Sequence, residues 1–538
     1  MIVFGSRGSD LALTQTRWVA EGVKAATGED YRIEVMVTTG DRIQDRPLSG
    51  IGVKGLFTKE LEDALRSGAI DAAVHSLKDL PVDDPDGLTL GAIPAREDAH
   101  DVLVTREDAL EAAGQPLDCL RAGASLGTSS PRRARAALSA RADLKTEDIR
   151  GNVPTRVEKA RRADYDAVVL AAAGLNRLGQ DLSGLVSQPL PLGTFTPAPG
   201  QGALGVQCRA KDERTLNALA AMHDPVTARC VKAERDVLQG LGGGCSMPLG
   251  VLIEPIADRF RVRAALFGGE PNAALHEALI GDAPDAMAAA IVEKWRPLIG
   301  APLRGRRVAT IRPDGERSGL TAALAIAGAE VTALGWTRTE ALKVERQQLE
   351  AVISREALAF TSTRAVRHFV AACQEHDLMP YERPALAVGA ATATELVRCG
   401  FVEVHPAAGR GGEALAALCA ASGHTDVAMP CAEARHEGFE QRAAKEGVAV
   451  LALPVYRLLD TEPDAAEIPP DLDAFVFTSP SSVAAWHAAT DGGTDLRAVA
   501  IGTTTSDSLH QYGFEQVTCL PEPTPAALID ALSHGPTS

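Results

Sequence analysis

The C-terminal part of this chain is written twice. AFTSTRAVRHFVAA (359–372) parallels VFTSPSSVAAWHAA (476–489), and LAVGAATATELVRCGFVEV (386–404) parallels VAIGTTTSDSLHQYGFEQV (499–517). A third pair opens at VATIRPDG (308–315) and VAMPCAEA (427–434). All three pairs keep nearly the same offset, which chance similarity would not do. The repeat restricts the fold to two copies of one α/β unit, with a binding site expected in the cleft between them.

The rest of the chain keeps a βα rhythm. RIEVMVTT (32–39) and IDAAVHS (70–76) read as strands, with an amphipathic helix over LFTKELEDALRSG (56–68) between them. ASLGT (124–128) and YDAVVLAAAG (165–174) read as buried strands, each followed by a helix. This rhythm predicts parallel, doubly wound sheets. After about residue 212 the texture changes. RFRVRAALFGG (259–269) alternates like an antiparallel strand, and a helical run ends near Trp295, so a small α+β domain is expected there. RPLIGAPLRGRRVAT (296–310), with its prolines, glycines and basic cluster, reads as a linker.

At 538 residues the chain has room for about three to five domains. Its net charge of −17 argues against a nucleic-acid partner, because phosphate binding needs a basic face. No apolar run approaches the ~18 residues of a membrane span. The N-terminus MIVFGSRGSD reads as a first strand rather than a signal peptide. Nine scattered cysteines form no C-x-x-C pair, so neither a disulfide framework nor a zinc site is expected, and a reducing cytoplasm fits.

Against this acidic background, residues 128–162 hold ten Lys/Arg and four Asp/Glu, a local charge of +6. Within them, GTSSPRR (127–133) pairs cap-type residues and Pro131 with Arg132 and Arg133, so a helix N-terminus would offer free N–H groups to an anion and the two arginines would add forked, permanently charged donors. Arg150 and Arg156 flank a second Pro-started helix. One of these arginines alone would read as a solvated helix face; the cluster reads as a site for several carboxylates or phosphates. VHSLKDLP (74–81) puts Ser76, Lys78 and Asp79 in one strand-end loop. That loop is either a solvated ion pair or the place of a general acid that also steadies a passing cation. Finally, GLGGGCSMPLG (240–250) surrounds Cys245 with glycine, which suits a tight turn or a thiol that carries something bulky. Phosphate-loop and H-E-x-x-H signatures are missing from the sequence, and no metal site is expected.

Taken in order, GSRGSDLAL (5–13), GVKGLFTKEL (52–61), HSLKDLP (75–81), GTSSPRR (127–133), RGNVPTR (150–156), AAAGLNRLG (171–179), PGQGALGVQCR (199–209) and GGCSMPLG (243–250) resemble hydroxymethylbilane synthase, also called porphobilinogen deaminase. The resemblance covers roughly residues 1–300. It implies two doubly wound, periplasmic-binding-protein-like domains (about 1–94 with 192–210, and 95–191) and a small α+β domain (212–296). It implies a transferase that joins four porphobilinogen units, releasing ammonia, on one covalent dipyrromethane cofactor per chain. The resemblance places the cofactor thioether on Cys245 and the catalytic carboxylate on Asp79, which would assist loss of ammonia and stabilise cationic azafulvene and pyrrole intermediates. Lys78, Ser129, Arg132 and Arg133 fall on cofactor-binding positions. Arg7, Ser9, Lys54, Ser76, Thr128, Arg150 and Arg156 fall on substrate-carboxylate positions. Pro131, Asp10 and Gly242 depart from the family's commonest residues without removing a named catalytic group.

The remainder, after a linker at 297–305, resembles uroporphyrinogen-III synthase through its repeated FTS turns, its two G-x-x-T turns and LPVYRLL (453–459). This implies a lyase that closes hydroxymethylbilane with inversion of ring D. Its two lobes are expected at about 306–339 with 457–538, and at 340–456. Ser362, Thr392, Ser479 and Thr505 fall on carboxylate-binding positions, and Tyr456 on a position that helps the hydroxyl leave. Ordinary N-capping is the competing reading of those hydroxyls. The expectation is a bifunctional, cytoplasmic, monomeric enzyme of tetrapyrrole synthesis with two small-molecule substrates and neither a nucleic-acid nor a membrane partner. The alternatives are a deaminase with a non-catalytic docking domain, and a solute-binding module in the N-terminal part.

Overall fold

A computed structural model of the chain describes residues 1–37, 58–83, 85–111, 116–244, 247–269, 273–312, 319–409, 411–435, 438–461 and 463–533. They fall into two compact units. One is Met1–Pro255 with Ala283–Val292; the other is Ile256–Asp282 with Glu293–Ser538.

The first unit contains two five-stranded sheets. The first runs Tyr31–Met36, Ile2–Arg7, Ala72–Ser76, Leu204–Arg209, Leu88–Ala92. The second runs Lys145–Glu147, Ser125–Gly127, Ala167–Ala171, Asp101–Thr105, Val186–Pro189. The helix Asp10–Thr27 starts where Ser9 accepts a hydrogen bond from the Ala12 amide, and it stops at Gly28, whose φ of 75° is left-handed. Its apolar stripe, Val19, Ala20 and Val23, packs on Ile2, Phe4, Val74 and Val206 of the first sheet. The helix expected over 56–68 is seen as Lys59–Ser67, closed by left-handed Gly68.

The βα rhythm predicts parallel sheets, and here the structure differs. Leu204–Arg209 runs antiparallel to both its neighbours, and Asp101–Thr105 does the same in the second sheet. These are the strands by which the chain passes from one sheet to the other and back. A strand entered from the opposite lobe has no crossover helix to turn it parallel.

In the second unit, Glu330–Leu334, Arg307–Ile311, Ala474–Phe477, Ala498–Ala500 and Val517–Cys519 make an all-parallel sheet. Thr337–Ala341, Ala449–Asp460, Asp426–Ala432, Ala357–Phe360, Ala385–Ala387 and Val404–Pro406 make a six-stranded one, antiparallel only at its first edge. Each repeated pair puts one member in each sheet, but the copies interleave: Arg307–Ile311 of the first copy lies in the five-stranded sheet with strands of the second, and Asp426–Ala432 of the second copy lies in the six-stranded sheet with strands of the first. Ala357–Phe360 leads into the helix Thr363–Glu375, and Ala474–Phe477 leads into Pro480–Thr490. Ala385–Ala387 leads into Ala390–Cys399, and Ala498–Ala500 leads into Thr503–Gln511. Thr337–Ala341 and all of Ala449–Asp460 sit in the six-stranded sheet, so the lobe limits expected at 339 and 457 fall inside paired strands. Arg259–Phe267 pairs antiparallel with Ala274–Gly281, as its alternation predicts.

Candidate active site

In the first unit the chemistry gathers at the carboxyl ends of the first sheet's strands. Ala72–Ser76 ends in a short 3-10 turn, Leu77–Asp79. Leu77 is fully buried among Leu80, Ile93, Ala203 and Val231, and its amide donates to the Ala203 carbonyl at 3.0 Å. That anchor pulls one side chain of the turn inward and leaves Asp79 exposed beside an open pocket. Arg7, Ser9, Ser76 and Asp79 line the pocket together with Gln15 and His75. Ser76 Oγ donates to Gln15 Oε1 at 3.2 Å. Burial pushes the His75 imidazole down to about 4, and the Arg7 charge works in the same direction, so it is neutral at pH 7.

Lys78 turns away from that pocket, and its Nζ donates to Gln201 Oε1 at 3.4 Å. Burial, and then the Arg133 charge, push its amine down to about 8, against the pull of Asp79 and Asp101. Gln201 Nε2 donates to Asp101 Oδ1 at 2.9 Å and to the Ala99 carbonyl at 2.8 Å. Asp101 is fully buried and takes Arg132 Nη1 at 2.7 Å and Arg133 Nε at 2.9 Å. Both arginines come from the helix Pro131–Ala140, which the Ser130 side chain caps. Thr128 is buried, and its Oγ1 accepts from the Ser130 amide at 3.2 Å. Ser129 Oγ donates to the Ile149 carbonyl. Arg156 is half-buried, with Nε on the Gly151 carbonyl at 2.8 Å. Its pKa is lowered first by burial and then by Arg133 and Arg150, while Asp79 offsets part of this.

The structure therefore brings Asp79, Lys78, Arg133, Arg150 and Arg156 into one electrostatic neighbourhood. Arg132 and Arg133 do not stand open; they are turned onto Asp101. Arg132 Nε is nonetheless buried without a hydrogen-bond partner, and such an atom is costly unless an acceptor reaches it. A cation-rich donor set with an orphaned guanidinium N–H fits a group that carries several carboxylates. Cys245 and Lys54 lie outside the described residues. The approach to Cys245 is described: Gly242 has a φ of 68°, and a Cβ at Gly243 would stand 2.3 Å from Met247 Sδ. The left-handed backbone at Gly242 favours glycine, and a side chain at Gly243 would displace the flexible Met247 and Leu238 side chains.

Sequence reasoning missed Gln15, His75, Asp101 and Gln201. Their pairing partners lie far off in sequence, so no local signal could have found them. In the second unit, Tyr456 is buried and stacks on His368 with ring centroids 5.0 Å apart and planes 11° apart. Its hydroxyl is 3.3 Å from Ser362 Oγ. Ser362 and Ser479 each cap a helix, and Thr392 and Thr505 are buried in the first turns of theirs. Ser362 and Thr392 belong to the six-stranded lobe, and Ser479 and Thr505 to the five-stranded one.

A two-lobed α/β frame with one exposed carboxylate facing a crowded set of cations defines an enzyme for multiply carboxylated substrates. Comparison with known proteins narrows this. The family model "Porphobilinogen deaminase, dipyromethane cofactor binding domain" matches residues 2–217, and "Porphobilinogen deaminase, C-terminal domain" matches 228–288. "Uroporphyrinogen-III synthase HemD" matches 318–530. Porphobilinogen deaminase of Brevibacillus brevis is 48% identical over 247 residues, 46% of this chain and 77% of that protein. The Geobacillus kaustophilus protein is 43% identical over 298 residues, 54% of this chain and 94% of that one. A crystal structure of a mutant uroporphyrinogen III synthase from Thermus thermophilus covers 42% of this chain and 97% of its own, at 21% identity and a TM-score of 0.31. The chain belongs to the porphobilinogen deaminase family and continues into a uroporphyrinogen-III synthase domain, which makes it a bifunctional enzyme of tetrapyrrole biosynthesis.

Proposed function

We propose that four porphobilinogen molecules are joined at the Asp79 site and that the second unit closes the linear product, hydroxymethylbilane, to uroporphyrinogen III. The observation that carries the first half is the exposed Asp79 carboxylate held beside Lys78 and Arg156 by the buried Leu77. Dipyrromethane, when bound through Cys245, supplies a covalent primer with its own acetate and propionate groups. Lys78, Ser129, Arg132 and Arg133 would hold those carboxylates. Arg7, Ser9, Lys54, Ser76, Thr128, Arg150 and Arg156 would orient the incoming substrate. In each condensation the aminomethyl carbon of porphobilinogen loses ammonia and bonds to a free pyrrole carbon, which gives up its proton. Asp79 protonates the departing amine and its carboxylate then faces the positive charge left on the ring, a role worth roughly 10²–10⁴-fold in rate.

For the second step, Tyr456 would give a proton to the departing hydroxyl; its ring stacks on His368 and its hydroxyl lies 3.3 Å from Ser362 Oγ, which supports this reading. Ser362, Thr392, Ser479 and Thr505 would meet carboxylates through the helix starts on which they sit. The chain is proposed to act as a cytoplasmic monomer; the eight described cysteines are all free thiols, which suits a reducing compartment. The test is the isomer made from porphobilinogen by the full chain. Mainly type III uroporphyrinogen is expected, and type I as the dominant product overturns the second activity.

A further inference from the structure

The hairpin Arg259–Phe267 with Ala274–Gly281 lies within the stretch matched by the deaminase model, yet it packs in the unit that holds the synthase. It meets the six-stranded lobe at the helix Ala390–Cys399, where Arg261 Nη1 donates to the Gly400 carbonyl at 3.1 Å. Behind that contact Glu395 is buried and receives Arg367 Nε at 2.8 Å and Arg398 Nε at 3.0 Å. The same hairpin meets the five-stranded lobe at the helix Leu320–Ile326, with the Ile326 side chain against Gly268. The segment that follows is also docked. Trp295, Leu298 and Leu303 are fully buried, the turn Arg296–Leu298 packs on Pro525–Ser533, and the Leu303 amide donates to the Ala327 carbonyl at 2.8 Å.

The two synthase lobes are joined covalently only where the chain crosses between the sheets, after Leu334 and after Asp460. Two such crossings form a hinge, and a hinge leaves opening free. A third tie, set away from the crossings and touching both lobes, removes that freedom. We infer that the deaminase-derived hairpin is a strap across the two synthase lobes, setting how far they open and so how tightly the synthase holds hydroxymethylbilane. The binding consequence rests on the reading that the synthase site lies between those lobes.

The experiment uses the full chain with nitroxide labels on the exposed Cys519 and on Met379→Cys, one in each lobe. Pulsed dipolar spectroscopy then reads the distance between lobes. A single narrow distribution is expected. Arg261→Glu places a carboxylate toward the Gly400 carbonyl and should broaden it. It should also raise the KM for added hydroxymethylbilane threefold or more, while porphobilinogen consumption stays unchanged. Ile326→Asp breaks the other contact without altering the deaminase sequence and should do the same. A broad distribution in the labelled parent, or a narrow one with unchanged KM in both folded variants, overturns the strap. The distances are read without turnover, so a failure of the synthase reading, seen as type I product, is told apart from a failure of the strap.

Discussion

The Arg133 guanidinium grips the Asp101 carboxylate at the point where the chain enters the second sheet, with Nη2 2.7 Å from Oδ1. Gln201, on the return passage, holds the same oxygen and also receives Lys78. One buried carboxylate thus links the turn that presents Asp79 to the arginines of the other lobe.

Asp101→Asn leaves Arg132 and Arg133 buried without their counter-charge. Breaking a buried pair from one side costs about 3–5 kcal/mol, so urea unfolding should show a loss of that order. Burial alone would raise the Asp101 pKa; the two arginine charges outweigh it and hold the carboxyl below the usual range. A lowered folded pKa gives stability that is present above the unfolded value of about 3.9 and is lost as pH falls below it. The parent should therefore weaken on acidification below about pH 4, and the variant should lack that component.

Lys78 has the opposite sign. Its folded pKa, about 8, lies below the ordinary 10.5, so the charged form costs stability in the fold. The cost is in force below pH 8 and is relieved as pH rises toward 10.5, because there the unfolded chain binds the extra proton. Lys78→Met should leave the unfolding free energy at pH 7 unchanged or raise it by on the order of 1 kcal/mol, while cofactor loading and turnover fall. A clear loss of stability at pH 7 would contradict this.

Asp79→Asn keeps shape and removes the charge and the proton. Porphobilinogen consumption should drop by roughly 10²-fold or more. Because Asp79 is exposed, thermal unfolding should stay within about 0.5 kcal/mol of the parent.

The purified chain should weigh more than its sequence by two porphobilinogen-derived rings, with the adduct on the peptide containing Cys245. Cys245→Ala should remove it. An active, unmodified protein, or an adduct on another cysteine, is the outcome that refutes the assignment.

Tyr456→Phe removes one hydroxyl and its 3.3 Å contact with Ser362, while the buried ring still stacks on His368. The full chain should then release more type I isomer from porphobilinogen, because unassisted closure competes. Ammonia release should be unaffected and the fold retained, as circular dichroism would report.

The internal repeat, the helix caps at Ser130, Ser362 and Ser479, and the strand-end placement of Asp79 were all legible in the sequence. Each depends on spacings of a few residues, or on self-similarity, which a linear reading sees directly. The direction of Leu204–Arg209 and of Asp101–Thr105 was not legible, because it depends on which lobe the chain has just left. Nor was the turning of Arg132 and Arg133 onto Asp101, whose partners stand 31 and 32 positions away. The packing of the 259–281 hairpin within the synthase unit was hidden for the same reason. Local chemistry sets what each segment can form. Which charge neutralises which, and which face covers which, is decided only when topology brings distant segments into one desolvated space, where an unpaired group costs far more than it does in water.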